Sequence, residues 1–593
     1  MPKCGLKINA ALLMLLLMKN KIFIAFLLVF CIIACAPKRS EKELTLALAG
    51  ETETLDPALS YDGITHGVLL NVYDTIIRFK GSSINEFEPL IASQVPSVEN
   101  GLISKDGLVY TFPIRQDIKF ADGTPLTVED TVYSLRRFLL TDTSGGPSAL
   151  LLEPILDLSS TRDEKGNLQI TFDDLKNAIY ADGNNLIVKL KKPFAPFLAI
   201  MARWSYIINK NWAISQGTWD GSAETMKEFN NPQKQNSALF DKANGSGPFI
   251  IERWDKPKKR IYLKANKNYF LGAPKLDRVY IITLAEQSTM RLMLQSGEID
   301  IAEIAPSLTP QLEGDKNVKV YDTLPRLKTD PVLFFTFKIN PENNPDIGSG
   351  KLDGKGIPPD FFEDKTLRQA FAYAFDYDAF LNQTMRGKAP RACGPVPPKL
   401  LQNPAPQKCY DLDLEKSKKL FKTAKNGKVW DKGFSFTLTV NSGSNLRKSA
   451  AEILKRNVEG INPKFKIEIR EIPWANFLEK TQNHKMPLWV RGWVADYPDA
   501  HNFAFPFLHH NGRYAIAQNY NNPEITKLIE QAKIETSPKK RAELYSDLQA
   551  LNHEEATQIY TVYSPGVWVL RSEVKGFLDN PVFLGIYLYP LYK

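Results

Sequence analysis

The chain has 593 residues, of which 43% are hydrophobic and 24% are charged, and its formal net charge is +9. This length is too great for one hydrophobic core, so two or three domains are expected. Residues 1–34 hold four lysines and no acid, which leaves 71 basic against 66 acidic residues in the rest. This excess of basic residues is small and contains no runs of like charge, so nucleic-acid binding is not the expected function.

Two apolar runs, 8–18 and 22–34, form the N-terminus. Each is shorter than the about 20 apolar residues that a membrane span needs. The second run has a basic start, an apolar middle and small residues just before Cys35, which is the layout of an export signal. That ending resembles a bacterial lipobox, in which the cysteine is lipidated and becomes the first residue of the mature protein.

This reading predicts a signal peptide over 1–34 and a lipidated N-terminal tether over 35–40. Met18 precedes a lysine pair that would itself make an ordinary signal start, so translation is expected to begin there. The alternative is an uncleaved N-terminal anchor. Both interpretations place the body of the chain outside the cytoplasm.

Outside the signal and the lipobox, two of the five cysteines remain, Cys393 and Cys409. They bracket a proline-rich loop. In an exported protein, a pair at this spacing predicts a disulfide that holds the loop, with two free buried thiols as the alternative.

The predicted elements alternate between strands and helices along the chain. Apolar residues with a period of two predict strands, while capping boxes and Asn-Pro or Ser-Pro pairs predict helix starts. The strands fall at 44–48, 108–114 and 249–254. Helices follow Thr127, Asn522 and Ser537, and another lies within 364–381. The expected fold class is therefore mixed α/β.

The chain offers little for catalysis. Its six histidines form no metalloprotease motif, and no nucleophile elbow or phosphate-loop spacing is present. We therefore expect no enzyme, no cofactor and no metal ion. The alternative is a metal site at the single histidine concentration, His501 with His509 and His510, although solvated loop histidines are favoured.

Six segments occur in the order and approximate spacing of one family. The sequence resembles the extracellular solute-binding proteins of family 5, the oligopeptide, dipeptide and nickel class that delivers ligands to ABC importers. The resemblance covers nearly all of the mature chain. The segments are LDP (55–57), 106–137, GSGPFIIERW (245–254), LMLQSGEIDIA (292–302), 367–380 and GWVADYPD (492–499).

The resemblance implies an α/β fold in the form of a two-lobed periplasmic-binding-protein-like clamp of class II, with an extra domain inserted in the first lobe. Two apolar stretches where the chain crosses between lobes would serve as the hinge. The expected ranges are lobe I at 41–78, 201–332 and 562–593, the extra domain at 79–200, lobe II at 333–561, and the crossings at 334–337 and 559–563.

The resemblance also implies the ligand-binding residues. In oligopeptide-type members, the aspartate of the G-W-x-A-D-Y motif holds the α-ammonium of the peptide, and here that residue is Asp496. Trp493 and Val494 would lie beside it. Three residues would face the ligand from the first lobe: Tyr61, Asp62 and Gly63.

The function implied is capture of peptides, oligopeptides first, between the two lobes and delivery to an ABC permease with its ATPase. The protein would be a monomer, held by lipid to a membrane of the cell envelope and facing the periplasm or the cell exterior. One alternative is the same clamp with a metal chelate, an opine-like compound or an oligosaccharide as cargo. The other is a peptide sensor or adhesin without a role in transport.

Overall fold

A computed structural model describes residues 40–593. The predicted signal peptide (1–34) and the lipidated Cys35 lie outside the described residues, as does all but the last residue of the tether. Among the helices of residues 40–593, none combines the length and the apolar character needed to cross a membrane.

The order of the strands in the sheets sets the topology of the described chain. The strands of residues 40–593 are β1 Glu43–Leu48, β2 Ile77–Phe79, β3 Phe87–Pro89, β4 Val109–Pro113, β5 Ile179–Asp182, β6 Asn185–Lys189, β7 Phe249–Asp255, β8 Arg260–Ala265, β9 Arg278–Thr283, β10 Ile301–Ala302, β11 Val318–Leu324, β12 Lys328–Phe335, β13 Phe434–Asn441, β14 Phe465–Ile472, β15 Leu488–Val494, β16 Gln558–Tyr560 and β17 Gly566–Arg571.

Helices cover the sheets and connect them. The α-helices of the same residues are α1 Gly63–Val72, α2 Val128–Thr141, α3 Ala149–Leu156, α4 Phe172–Ala178, α5 Phe197–Trp204, α6 Lys210–Ser215, α7 Gln287–Ser296, α8 Lys365–Ala374, α9 Tyr377–Ala379, α10 Leu414–Thr423, α11 Lys428–Lys432, α12 Asn445–Ile461, α13 Trp474–Gln482, α14 His501–Leu508, α15 Arg513–Gln518, α16 Pro523–Ile534 and α17 Pro538–Glu555. Shorter 3₁₀ or π turns are at Met226–Phe229, Lys234–Asn236, Pro306–Leu312, Pro345–Ile347, Phe361–Glu363, Phe380–Thr384, Pro398–Leu400 and Ala424–Gly427.

Two large sheets define two lobes. The first sheet has seven strands in the order β11-β17-β10-β1-β9-β8-β7, and β1 runs parallel to both of its neighbours. The second sheet has five strands in the order β14-β13-β15-β12-β16, with β13 parallel to β14 and β15. A separate three-stranded sheet, β4-β6-β5, lies within the range predicted for the extra domain.

The chain passes between the two large sheets twice. It leaves the first sheet after β11 and enters the second at β12, so the first crossing is the short segment 325–327, which is earlier than the predicted stretch 334–337. It returns between β16 and β17 through 561–565, which overlaps the predicted 559–563. The two crossings are adjacent, because the Ser564 N–H donates to the Lys328 carbonyl. The domain boundaries stay predictions.

The short motifs of the sequence hold the first lobe together. Asp56, in LDP, accepts two hydrogen bonds of 2.8 and 2.5 Å from Arg137 on α2. Both side chains are buried, and a buried charge is tolerated only when it is paired and hydrogen-bonded. The glycines of GSGPF have a different role: a β-carbon on Gly245 would lie 2.2 Å from the Val72 carbonyl oxygen, so the loop needs glycine for close backbone contact.

The proline-rich loop is closed by a disulfide. Cys393 and Cys409 are bonded to each other, with their Cα atoms 4.8 Å apart. Close by, Arg391 forms an isolated bridge with Val562. The disulfide therefore holds a long loop of the second lobe next to the second crossing.

Candidate functional site

The functional site lies where the carboxyl ends of parallel strands from both sheets meet. In the first sheet, the chain leaves β1 toward Tyr61 and leaves β10 at Glu303. In the second sheet, β14 leads to Trp474 and β15 leads to Asp496. Ligands of open α/β sheets bind outside the carboxyl ends of the strands, so the geometry predicts a ligand cleft between these two edges.

Tyr61 and Asp496, which the sequence analysis assigns to opposite lobes, meet across this cleft. The Tyr61 hydroxyl donates a hydrogen bond of 2.9 Å to Asp496 Oδ2. Trp204, at the end of α5, donates its indole N–H to the Asp496 carbonyl at 2.8 Å. The clamp is therefore closed in this structure, with Asp496 at the contact between its halves.

Asp496 is buried and held in place by its own lobe. Asn502, at the start of α14, donates to Asp496 Oδ2 at 3.3 Å and accepts from the Asp496 backbone N–H at 2.7 Å. Burial raises the pKa of Asp496, and the charges of Arg203 and Arg513 and the bonds from Tyr61 and Asn502 oppose that rise. Burial disfavours the ionised form, whereas a cationic group that entered the cleft beside Asp496 would favour it.

Two of the predicted residues from the first lobe have structural roles. Asp62 caps α1 by accepting the Thr65 N–H at 2.7 Å, while its Oδ2 is buried and has no hydrogen-bond partner among residues 40–593. Burial raises the pKa of Asp62. A β-carbon on Gly63 would lie 2.3 Å from Leu584 Cδ1, so packing accounts for this glycine.

Trp493 and Val494 form the end of β15 beside Asp496. Both are half-buried, and they pair with Thr329 and Lys328 of β12. The Trp493 indole N–H donates to Asn502 Oδ1 at 3.2 Å. Trp493 is thus linked to Asp496 through Asn502, and Val494 follows it at the end of the strand that leads to the acid.

The start of β12 adds a group of charges that sequence reasoning missed. Asp330 accepts hydrogen bonds of 2.9 and 3.1 Å from Arg447, and Lys328 lies 3.3 Å away. Burial would raise the pKa of Asp330, but Arg447 and Lys328 bring this pKa down to about 2. Asp330 is therefore ionised, and its negative charge is compensated by Arg447 and Lys328.

Two of the three histidines past the motif are buried beside acids, so the expectation of solvated loop histidines is wrong for His501 and His509. His501 Nε2 lies 3.6 Å from Glu153, and His509 Nε2 lies 3.2 Å from Glu530. Within the part of the chain that the structure describes, no three or more His, Cys, Asp or Glu side chains are grouped to hold a metal ion.

Four further residues around Asp496 were not predicted: Arg203, Trp204, Asn502 and Arg513. Three of them lie far from the motif in sequence or on another element, so no local pattern identifies them. Asn502 is six residues from Asp496, but an asparagine after a turn more often caps a helix than holds a binding acid.

Comparisons with known proteins agree with this geometry. Residues 86–515 match the profile of the bacterial extracellular solute-binding proteins, family 5 Middle. The chain is 25% identical over 535 residues to heme-binding protein A of Haemophilus influenzae, which covers 88% of each chain. It is 24% identical over 560 residues to the dipeptide-binding protein DppE of Bacillus subtilis, covering 92% of this chain and 91% of the relative.

Solved structures share the fold. The periplasmic binding protein DppA of Helicobacter pylori, in complex with the peptide STSA, superposes with a TM-score of 0.71 at 24% identity, over 93% of this chain and 98% of that one. AppA of Bacillus subtilis, in complex with a nonapeptide, has a TM-score of 0.68 at 20% identity, over the same shares of the two chains. The two-lobed clamp is thereby confirmed, and the chain belongs to the bacterial extracellular solute-binding proteins of family 5.

Proposed function

We propose that this protein captures peptides in the cleft between its lobes and delivers them to the permease of an ABC importer. The observation that carries the proposal is the position of Asp496, a buried acid at the contact between the lobes. A peptide offers an ammonium at one end and a backbone that varies little, so a carrier of many sequences does best to bind these constant parts.

The chemistry of the cleft supports this ligand class. A carboxylate holds an ammonium through a charge-assisted hydrogen bond, and backbone groups at a strand end can pair with a peptide main chain without reading its side chains. Asp496 supplies the acid, while Trp493 and Val494 at the end of β15 supply the neighbouring backbone. Tyr61 would move its hydroxyl aside or share the carboxylate when a ligand amine enters.

The remaining assignments are part of the proposal and are supported by the lipobox-like sequence before Cys35 and by the family. The protein works as a monomeric lipoprotein anchored through Cys35 to a membrane of the cell envelope, facing the periplasm or the cell exterior, and hands its ligand to permease subunits coupled to an ATPase. The proposed ranges are 41–78, 201–327 and 562–593 for lobe I, 79–200 for the extra domain and 328–561 for lobe II, because β12 pairs with strands of the second sheet.

Mass spectrometry of ligand that co-purifies with the protein tests this proposal. We expect a mixture of peptides with free amino termini, released on denaturation and absent from protein refolded after denaturation. A metal chelate or an oligosaccharide in their place would contradict peptide capture while leaving the clamp intact.

A further inference from the structure

The first lobe contains a cavity of about 240 Å³ at the end of α1 that is distant from the cleft. Its wall combines residues that follow α1, residues of β2 and β3, and the C-terminal segment 578–590. Tyr61 lies two residues before α1 and Asp74 lies two residues after it, so a helix of ten residues, about 15 Å long, separates the two places. None of the predicted cleft residues lines the cavity. The cavity is therefore separate from the cleft between the lobes.

Aromatic rings form much of the cavity wall. Tyr587 and Tyr589 of the C-terminal segment have ring centroids 5.9 Å apart, and Phe583 packs on Phe79 of β2 with centroids 6.1 Å apart. Tyr206 lines the cavity as well. Aromatic faces attract cations, and a cage of rings is a common way to hold an organic ammonium group. The wall therefore suits an apolar or cationic ligand.

Asp74 places a buried acid in this wall, with only 3% of the residue exposed. Its carboxylate accepts hydrogen bonds from the Ser246 hydroxyl at 2.8 Å and from the Tyr269 hydroxyl at 3.0 Å. These two neutral donors satisfy part of the acceptor capacity of a carboxylate and leave its charge uncompensated. Among residues 40–593, no Lys, Arg or His nitrogen lies within the 4.0 Å of an ion pair with Asp74.

The other charged groups near the cavity do not offset this acid. Arg78 donates a hydrogen bond of 2.5 Å to Glu88, so these two lining residues compensate each other. Arg203 on α5 is also buried, and its charge acts on Asp496 in the cleft. Burial raises the pKa of Asp74 to about 6, although its hydrogen bonds and the charge of Arg78 oppose the rise. Asp74 is thus ionised at neutral pH at a cost in free energy that a cation in the cavity would remove.

The cavity has an entrance, and its volume limits what can enter. Leu578, which is 46% exposed, and the exposed Gly81 form part of its rim. A cavity of about 150 Å³ is sufficient for benzene. A cavity of about 240 Å³ therefore admits one ring with a short side chain.

We infer that this cavity binds a small amine with one apolar ring, whose ammonium group pairs with Asp74 while its ring lies among the tyrosines and phenylalanines of the wall. The ammonium donates a charge-assisted hydrogen bond to the carboxylate, which is stronger than a bond from a neutral donor. The site is distinct from the proposed peptide cleft and does not depend on it.

Titrations followed by ligand-observed NMR test the inference with three probes: phenethylamine, phenethyl alcohol and phenylacetate. They are made on the full chain carrying Asp496→Asn, so that an amine cannot pair with the acid of the cleft. This protein should bind the amine about tenfold or more tighter than the alcohol, and phenylacetate should bind weakest. Adding Asp74→Asn should abolish the preference for the amine while leaving the affinity for the alcohol unchanged.

A second variant tests the place of binding without touching a buried residue. Leu578→Trp puts a larger side chain at the entrance and should weaken binding of the amine and the alcohol alike. Leu292→Trp is the matched control, because Leu292 on α7 is 56% exposed and does not line the cavity. It should leave both affinities unchanged.

Four results would overturn the inference. Equal affinity for amine and alcohol in Asp496→Asn means that the cavity has no ammonium site, and no binding of any probe at millimolar concentrations has the same meaning. A preference for the amine that survives Asp74→Asn assigns the ammonium to another acid. Full binding in Leu578→Trp places the probes outside the cavity. Each of these results is independent of whether the cleft binds peptides.

Discussion

At the scale of single residues, the second lobe depends on one buried acid. Asp330 joins Arg447 and Lys328 beneath the cleft, and its side chain is only 8% exposed. Since its pKa falls to about 2 from an ordinary 3.8, the ionised form stabilises the folded state by about 2 kcal/mol. That stability is present above the ordinary pKa and is lost as the pH falls through about 2.

Replacing Asp330 with Asn should therefore destabilise the protein by about 2 kcal/mol at neutral pH, because Arg447 is left buried without its partner. The measurement is the urea unfolding midpoint as a function of pH. The difference from wild type should shrink as the pH drops from about 4 to about 2.

Asp117→Asn is the control for that experiment. Asp117 also accepts two hydrogen bonds from one arginine, Arg115, but its side chain is 60% exposed. An exposed pair contributes at most about 1 kcal/mol. Equal losses of stability in Asp330→Asn and Asp117→Asn would show that burial of the Asp330 ion pair does not add to its contribution.

Residue roles were predictable from sequence only where a motif carries them. Asp496 is part of such a motif, and Tyr61 was assigned to the facing lobe; the structure brings the two together. Arg203 and Arg513 reach the same acid from α5 and α15. Their convergence is a product of tertiary packing, which no spacing along the chain encodes.

At the scale of elements, the close contact of β12 and β15 requires a glycine. A β-carbon on Gly492 would lie 2.3 Å from the Cβ and Cγ atoms of Asp330. The glycine therefore allows the Asp330 carboxylate to lie over β15 and reach Arg447. A glycine of β15 thus makes room for the ion pair that Asp330 of β12 forms with Arg447.

Gly492→Ala should destabilise the second lobe by about 1–3 kcal/mol, because either the strands or the Asp330 side chain must move to admit the methyl group. Gly460→Ala, in the last turn of α12 with no atom within 4 Å of the added carbon, should be neutral or stabilise by up to about 1 kcal/mol. Thermal unfolding of both variants checks this, and a neutral Gly492→Ala would disprove the steric argument.

Helix starts were the most predictable elements, because their signals are local. Thr127 and Asp130 form the predicted capping box, and Asn522 and Ser537 cap the helices that Pro523 and Pro538 begin. The first crossing was less predictable. The apolar residues Phe334 and Phe335 predict a strand, and they lie in one. Only its long-range pairing shows that this strand belongs wholly to the second sheet.

At the scale of the whole molecule, a second contact holds the clamp closed. Lys533 on α16 lies 3.2 Å from Glu153 on α3, within the range predicted for the extra domain. His501 lies 3.6 Å from the same acid. Burial would raise the pKa of Glu153, but His501 and Lys533 lower it. Opening of the lobes would break this contact together with the one at Asp496.

Lys533→Met should therefore weaken peptide binding by about 5- to 100-fold, because closure no longer gains this buried ion pair, whose loss costs about 1–3 kcal/mol. Small-angle scattering at saturating peptide should still give a smaller radius of gyration than without peptide. Lys256→Met, which breaks the exposed pair with Asp241 within the first lobe, should leave affinity unchanged. Unaltered affinity in Lys533→Met would show that this contact does not contribute to closure.

The most direct test of peptide capture removes each charge of the proposed contact in turn. Calorimetry would compare wild type and Asp496→Asn with a free peptide and with the same peptide acetylated at its amine. Each change alone leaves a buried charge unpaired, at about 2–5 kcal/mol, so each should weaken binding by roughly 30-fold to several thousand-fold. Because both changes remove one interaction, their combined effect should be much smaller than their sum. Equal affinity of wild type for the free and the acetylated peptide would contradict the account.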